Sequence, residues 1–416
     1  MTLNLLRIGL VLIPFYEILM RLFPYVVAVP PNTRDAKEIV AMGFALFIGL
    51  AAIYAGEIKK CANYFLLILV GYIIINIRAV PHLNFIINGI DSSGIWIWKP
   101  YFQCLCFFLM FMAIQSMNTD ELKYKVFPIL AWVGFLMAGY VVLQAAGADE
   151  WYLVKPLVMP GTTFTIDALN PQMVGSLGNS TIVAPFIAML IPVALAIRHY
   201  LKAFVMGAVI FLCRSDMAII AMLISIIAFY VLTEKNHFGW KHILTVVIVS
   251  AIAFTSVFFV ANKEANTSKR MFTANGRISE WKVIYNDLIN MKVEEIGGIQ
   301  RTRPFTGYGM GSYGYIYSST KQSSFRQAHN EYLEIAFSLG LIGTAIFLAA
   351  FFFPTKEIFS YQVWHSMTPN VSAVLCSFLC ISLVAVGTFP WQLGAHQFYS
   401  VFFFGLLNNN DFIRGD

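Results

Sequence analysis

The stretch SSFRQAHNEYLEIAFSLGLIG, residues 323–343, passes directly from polar side chains into a long apolar run. The run continues to about residue 353, and about 20 apolar residues are enough for a helix to cross a bilayer. The stretch therefore predicts a membrane helix with reactive side chains at its mouth. The polar side chains in question are Arg326, His329, Asn330 and Glu331.

The composition of the whole chain also indicates a membrane protein. Of the 416 residues, 58% are hydrophobic and 12% are charged, whereas soluble domains contain roughly 25% charged residues. One aqueous core could not bury so much apolar surface, but a bilayer solvates it directly. The predicted fold class is therefore all-α, a polytopic membrane protein whose backbone groups are paired within helices.

Apolar windows close to the spanning length predict about 12 transmembrane helices. Two windows, 203–214 and 397–409, are short, so each is either a full span or a broken one that protein or water covers. The first window has no small-residue cleavage site and is expected to remain as a span. The windows are 3–23, 39–56, 62–79, 99–118, 124–147, 180–197, 203–214, 216–232, 242–262, 330–353, 370–387 and 397–409.

The distribution of lysine and arginine predicts how the spans face. With the N-terminus in the cytoplasm, the short inside loops are mildly richer in basic residues, as the positive-inside rule requires. Two longer loops, 148–179 and 263–329, then lie outside. Three parts are expected along the chain: an N-terminal bundle of about nine spans (1–262), a large periplasmic loop (263–329) and a C-terminal bundle of about three spans (330–416).

The large loop is basic and partly structured. Residues 263–328 contain ten basic and five acidic side chains, an excess that favours an anionic partner at the outer face. Within GRISEWKVIYNDLINMK (276–292), apolar residues recur at helical spacing, which predicts an amphipathic helix. Such a helix lies on the membrane surface, caps a cavity or packs on the ends of the spans.

Several motifs of other protein classes fail on inspection. The pattern Gly309-x-Gly311-x-x-Gly314 follows no βα unit, so a turn-rich stretch is favoured over a dinucleotide site. No Walker loop, Asp-x-Asp pair or His-x-x-x-His zinc spacing occurs. The six cysteines lie in or beside apolar segments, where cysteine acts as a small hydrophobic residue.

Ionisable residues at the edges of the spans are the remaining functional candidates. Arg214 lies between two apolar runs, where it forms a salt bridge with Asp216 or Glu17, snorkels to the surface, or binds an anion in a wet cavity. Three histidines, His82, His329 and His396, lie outside in this topology. His329 directly precedes a helix start, so it either completes a capping turn or acts in chemistry beside a basic loop.

Five sequence segments, taken together and in their order along the chain, can be compared with a known protein family. The first is His329-Asn330-x-Tyr332-Leu333 with Gly340-x-x-Gly343 after it. The others are GSLGNSTIVAPFIAMLIPVAL (175–195), LCRSDMA (212–218), NGRISEW (275–281) ahead of GYGMGSY, and GTFPWQLGAHQFYSVFFFGLL (387–407). In this order the segments resemble the bacterial O-antigen ligase and O-antigen polymerase-like integral membrane family, over roughly residues 170–407.

The chain departs from that family at three places. Ser338 stands where many relatives have an acidic residue, and Asp216 stands where a small residue is common. The first outer loop, 148–179, contains no arginine. Polymerases of the family often have basic residues in both outer loops, so this absence favours a ligase weakly.

The resemblance implies a glycosyltransferase-type enzyme that uses a polyprenyl-diphosphate-linked glycan as donor. In a ligase the acceptor is a sugar hydroxyl of lipid A–core, and in a polymerase it is the growing lipid-linked glycan. The implied reaction inverts the anomeric centre and needs neither metal nor cofactor. The expected location is the bacterial inner membrane, with the active site facing the periplasm. The expected partners are the donor, a lipid or glycan acceptor and membrane lipids, and no nucleic acid.

The same resemblance implies roles for individual residues. His329 matches the catalytic position, and histidine is suited to act as a base at neutral pH. Arg214 and Arg277 match diphosphate-binding positions, where the planar guanidinium forms paired hydrogen bonds to phosphate. Further candidate substrate contacts are Arg326, Arg303, Arg301 and Asn330, although loop arginines are more often simply solvated.

Two other protein classes also fit a chain with many spans. A transporter of lipid-linked glycans would be expected to show repeated halves, but the large loop lies asymmetrically in the second half of this sequence. A non-catalytic partner in polysaccharide assembly would keep its function when His329 is replaced.

Overall fold

The computed structural model describes the greater part of the chain as a helical bundle. A two-stranded antiparallel hairpin, β1 (Glu295–Ile296) and β2 (Ile299–Gln300), is the exception among the described residues. The described residues are 1–22, 33–58, 61, 63–76, 94–146, 175–177, 180–213, 215–233, 281–282, 284–286, 295–296, 299–300, 304–313, 328–360, 364, 367–388 and 390–414.

The helices follow the predicted apolar windows. Each window except 242–262, which lies outside the described residues, corresponds to at least one helix. The helices are α1 (Thr2–Leu22), α2 (Thr33–Tyr54), α3 (Tyr64–Ile75), α4 (Gly94–Ile114), α5 (Thr119–Lys125), α6 (Phe127–Ala145), α7 (Ser180–Ala188), α8 (Ile191–Ala196), α9 (Tyr200–Leu212), α10 (Asp216–Thr233), α11 (Glu331–Phe352), α12 (Thr355–Ile358), α13 (Pro369–Val384), α14 (Gly394–Leu407) and α15 (Asn410–Arg414).

The lengths and apolar composition of these helices are those of a membrane protein. Four of the described helical stretches are long and apolar enough to cross a bilayer: Lys37–Tyr54, Thr119–Ala145, Asp216–Thr233 and Glu331–Ile358. Other apolar helices are shorter over the residues whose side chains are described, among them Thr2–Tyr16 in α1 and Lys99–Ile114 in α4. The window 203–214 is the 13-residue α9, and the window 180–197 is divided into α7 and α8. Pro192 stands in the first turn of α8, where it has no N–H to continue the preceding helix. The total of 12 spans remains a prediction.

Helices from both halves of the chain share one core. α13 packs on α8 and α10, α14 packs on α2 and α4, and α11 packs on α3. At one end of the bundle, Lys99 of α4 pairs with Glu38 of α2, and the amide of Gln103 donates to Gln397 of α14. We call this the site end, where α2, α4, α11 and α14 begin and α13 finishes.

α11 is broken at Gly340. This residue has a φ of 67° and a ψ of −176°, between two helical segments that it joins. Glycine adopts a positive φ without the steric penalty that other residues carry. The break interrupts the helical hydrogen-bond ladder, so the backbone groups on either side need other partners. In the apolar interior of a membrane protein each group left unpaired would cost several kcal/mol.

A segment of the large loop supplies those partners. Residues 304–309, which we call the docking segment, run beside the break and exchange four backbone hydrogen bonds with α11. Two N–H groups of α11 donate to carbonyls of the segment, and two N–H groups of the segment donate to carbonyls of α11. The bonds are Leu341 N to Pro304 O at 2.8 Å, Ile342 N to Phe305 O at 3.1 Å, Tyr308 N to Phe337 O at 3.1 Å and Gly309 N to Ser338 O at 2.8 Å.

The close approach of the two backbones requires glycine on both sides. A Cβ atom on Gly307, which has a φ of 73°, would lie 2.3 Å from the carbonyl oxygen of Ser338. A Cβ atom on Gly340 would lie 2.4 Å from the carbonyl oxygen of Phe305. Both distances are far shorter than van der Waals contact. Neither residue could therefore carry a side chain unless the backbone of the facing segment moved.

Side chains of two neighbouring helices complete the junction. The Tyr72 hydroxyl of α3 donates to the carbonyl of Leu339 at 3.0 Å, and the Asn76 amide donates to the carbonyl of Thr306 at 2.8 Å. Tyr101 of α4 accepts a hydrogen bond from the N–H of Met310 at 3.0 Å. The turn-rich interpretation of the glycine stretch is confirmed for its described residues, 307–313. The large loop is tied to the middle of a span.

We expect Gly340→Ala to destabilise the protein by at least about 1 kcal/mol, because alanine is strained at this φ and its Cβ meets Phe305. Gly71→Ala in the neighbouring α3 is the control, since a Cβ there meets nothing within 4 Å. Thermal unfolding of the purified protein in detergent should show a lower midpoint for the first variant only. Equal midpoints would mean that the break does not depend on glycine.

Candidate active site

His329, the predicted catalytic residue, lies at the site end, next to the residue that precedes α11. It is partly exposed and has a φ of 52°. A positive φ is uncommon for a residue with a side chain and persists where the surroundings hold it in place. The neighbours of His329 are therefore part of the site. Of the other two histidines predicted outside, His396 is buried with Nε2 2.9 Å from the carbonyl of Ile182, and His82 lies outside the described residues.

Asn330 fixes the chain on the far side of His329. Its side-chain oxygen accepts a hydrogen bond from the N–H of Leu333 at 3.1 Å, which makes it the N-cap of α11. Its backbone carbonyl accepts from the N–H of Glu334 at 3.0 Å. The predicted capping role is confirmed. A substrate contact by Asn330 remains a prediction, and 8% of the residue is exposed.

Ala328 fixes the chain on the near side of His329, and both of its backbone polar groups are bonded to side chains. The indole N–H of Trp281 donates to the carbonyl of Ala328 at 2.9 Å. The N–H of Ala328 donates to the Glu334 carboxylate at 3.0 Å. Ala328 is fully buried, so the bonds hold a peptide that water does not reach.

The first turn of α11 is tied to the end of α13. The N–H of Glu331 donates to the carbonyl of Ala385 at 2.9 Å, and the Tyr332 hydroxyl donates to the carbonyl of Ser382 at 3.0 Å. The Glu331 carboxylate is buried and accepts a hydrogen bond from the amide of Gln392 at 3.1 Å. A buried carboxylate needs such partners. The helix that begins after His329 is thereby positioned by two other elements of the bundle.

The helical residues of the large loop pack on this same region. Residues 281–282 and 284–286 are helical, and the other residues of the predicted amphipathic helix lie outside the described part. Ile284 is fully buried, whereas Tyr285 is 57% exposed. The contacts of Ile284 favour packing on the protein over lying on the membrane surface. Its buried cluster also contains Tyr308, Tyr313, Ala328 and Phe337.

A second group of charged residues lies at the site end, on α2 and α4. Lys37 is buried and donates to the carbonyl of Ser176 at 2.9 Å, and Glu38 pairs with Lys99. A Cβ on Gly394 would lie 2.8 Å from the Cα of Glu38, so α14 begins in direct contact with this pair. The contacts account for three charges that lipid could not accommodate.

The predicted arginines lie outside the described residues. This applies to Arg214, Arg277, Arg301, Arg303 and Arg326, whose roles remain predictions. Their described neighbours in sequence are informative all the same. Arg277 and Arg326 precede Trp281 and His329 by four and three residues, and Arg303 adjoins the docking segment. Among the described residues, no three His, Cys, Asp or Glu side chains are placed to hold a metal ion.

Sequence reasoning missed several residues of the site. Trp281 was recognised as part of an apolar helical face, but its hydrogen bond to a residue 47 positions later was not foreseen. Glu334 and Gln392 carried no motif. The pattern Gly340-x-x-Gly343 was the available signal for the break in α11, since glycine within a span often marks irregular backbone.

Comparison with known proteins finds a family similarity over part of the chain. Residues 201–348 match a family model described as O-antigen ligase. The matched residues run from α9 through the large loop and past the break in α11. A search of curated proteins found no match. The resemblance inferred from the sequence motifs is confirmed for this region.

We expect Asn330→Ala to lower the free energy of unfolding by about 1 kcal/mol, because α11 loses its N-cap. Asn330→Asp keeps an oxygen acceptor at the same place and should remain close to the wild type. Thermal unfolding of both variants in one detergent measures the difference. If the aspartate variant loses as much stability as the alanine variant, the cap is not what Asn330 contributes.

Proposed function

Because residues 201–348 are O-antigen ligase-like, we propose that this membrane protein transfers a glycan from a polyprenyl diphosphate to an acceptor sugar hydroxyl. The proposed acceptor is lipid A–core, at the outer face of the inner membrane. The observation that carries the proposal is the position of His329. This partly exposed residue has a left-handed backbone, held by hydrogen bonds on both sides, and lies within the matched region.

In the proposed reaction His329 accepts the proton of the attacking hydroxyl. The hydroxyl oxygen attacks the anomeric carbon as the bond to the diphosphate oxygen breaks, so the anomeric configuration inverts. The electron pair of that bond leaves with the diphosphate, whose charge needs fixed cations. Arg214 and Arg277 are proposed for this role because guanidinium groups pair with phosphate oxygens in a forked geometry. With arginines carrying the charge, the proposed reaction requires no metal.

The organisation of the chain around this reaction is also part of the proposal. The large loop, 263–329, is proposed to face the periplasm with the substrate beneath it. Two contacts support this arrangement: the docking segment lies against the broken helix α11, and Ile284 lies in the cluster beside His329. The candidate contacts Arg301, Arg303 and Arg326 belong to the same loop. Donor diphosphate and acceptor hydroxyl would then meet where the loop joins the span.

Transfer of glycan by protein reconstituted in liposomes, with lipid-linked donor and acceptor, tests the proposal. We expect His329→Ala to lower the rate by at least about 100-fold, as is usual for loss of a general base. Arg277→Ala should have a similar effect, and Arg277→Lys should recover part of the rate because it restores charge but not the forked geometry. Undiminished transfer by both alanine variants would contradict the proposal.

Matched controls exist outside the proposed site. His199 lies before α9 with its Nδ1 3.0 Å from the ammonium of Lys202, and Arg414 is ion-paired with Glu357. His199→Ala and Arg414→Lys should transfer glycan at the wild-type rate. Activity that EDTA abolishes and divalent metal restores would refute the metal-independent part alone. Attachment of product to lipid A–core identifies a ligase, whereas longer chains still on polyprenol identify a polymerase.

A further inference from the structure

The two peptide groups that flank Ala328 are hydrogen-bonded by side chains from two different parts of the chain. Trp281 bonds the carbonyl at 2.9 Å from 47 residues earlier in the chain, and Glu334 bonds the N–H at 3.0 Å from six residues later. Ala328 has no functional side chain, so these bonds act only on the backbone. The carbonyl that Trp281 holds belongs to the peptide that joins Ala328 to His329. That peptide plane therefore directly affects the φ of His329.

This restraint matches an unfavourable conformation at His329. A φ of 52° is uncommon for a histidine, and such a conformation persists only when neighbouring contacts determine it. On the C-terminal side, the backbone conformation is fixed by Asn330, whose side-chain oxygen accepts a hydrogen bond from the N–H of Leu333. On the N-terminal side, the backbone is fixed by the hydrogen bonds of Ala328 with Trp281 and Glu334. Together they set the direction in which the His329 side chain leaves the backbone.

We propose that Trp281 and Glu334 are positioning residues for His329, a role that rests on the proposed glycan transfer. Neither residue is assigned a contact with the substrate. The indole N–H and the carboxylate orient the backbone so that the imidazole faces the acceptor hydroxyl. Trp281 belongs to the helical residues of the large loop, whose Ile284 packs in the cluster of Tyr308, Tyr313, Ala328 and Phe337. The packing of these loop residues therefore also holds the backbone that orients His329.

The consequence for catalysis is a defined kinetic signature. A displacement of about 1 Å in a catalytic group lowers the rate of the chemical step by up to about 100-fold. Because the two residues act through His329, their loss should lower kcat and leave the KM for the donor nearly unchanged. A contribution to donor binding would instead raise KM.

The first experiment compares variants that remove the hydrogen bonds to the backbone of Ala328. Trp281→Phe keeps an aromatic ring and removes the N–H donor, and Glu334→Ala removes the acceptor. Each should lower kcat by about 10- to 100-fold, whereas Glu334→Gln keeps an oxygen acceptor and should restore most of the rate. Trp132→Phe is the control, because Trp132 contacts Lys202 and lies outside the candidate site. Variants are compared after size-exclusion chromatography and thermal unfolding have established that they are folded.

The second experiment reports on His329 without any substrate. Diethyl pyrocarbonate modifies exposed imidazoles, and mass spectrometry of the digested protein gives the rate at His329 separately. We expect this rate to change several-fold in Trp281→Phe and Glu334→Ala, and to stay at the wild-type value in Trp132→Phe and Glu334→Gln. If Trp281→Phe fails to fold, the pair Glu334→Ala and Glu334→Gln carries the comparison alone.

The two experiments separate the positioning role from the proposed function. A changed modification rate together with a lower kcat supports the positioning role. An unchanged modification rate overturns it, as does a changed modification rate with kcat at the wild-type value or with the loss confined to KM. If the wild-type protein transfers no glycan, the proposed function fails, and the modification rates alone decide whether the two residues hold His329.

Discussion

The break in α11 leaves backbone groups that need hydrogen-bond partners, and neighbouring segments supply them. At Gly340 the helical ladder stops, and N–H and C=O groups on both sides face a medium in which unpaired polar groups are costly. The docking segment supplies partners through four backbone hydrogen bonds, and Tyr72 of α3 and Asn76, the C-cap of α3, add side-chain bonds. This part of the large loop is thereby fixed beside the middle of a span.

This constraint links the span to the site through a single helix. His329 adjoins Asn330, the N-cap of α11, and the break lies within α11. Contacts that hold the docking segment therefore also affect the surroundings of His329. Phe337 makes the connection physically. Its carbonyl accepts from the N–H of Tyr308, while its ring stacks on that of Tyr308 with centroids 4.8 Å apart. The cluster of these two residues includes Ile284 of the loop and Ala328.

Local patterns in the sequence were sufficient for the features that depend on local physics. Apolar length predicted the helices, the helical spacing around Trp281 predicted a loop helix, and the Asn330 side chain predicted a cap. The break at Gly340, the hydrogen bond from Trp281 to Ala328 and the contact of Glu334 all depend on what another segment brings close. A glycine alone does not specify its partner. The site residue that was predicted, His329, was identified by its polar company and by family resemblance, and neither of these reveals the backbone geometry that orients it.

The region that matches the O-antigen ligase family model contains both partners of the main contacts described above. Residues 201–348 contain α9, α10, the large loop and α11 to a point beyond the break. They therefore include both partners of the backbone junction, Gly307 and Gly340, and both partners of the bond that holds the peptide before His329. A chemistry that needs a histidine and several arginines could be placed on many folds. Here the histidine is held by the loop, which also carries most of the candidate arginines. Docking of the described loop residues on a broken span therefore places the loop against the helix that follows His329, and the unpaired backbone groups at Gly340 favour this docking.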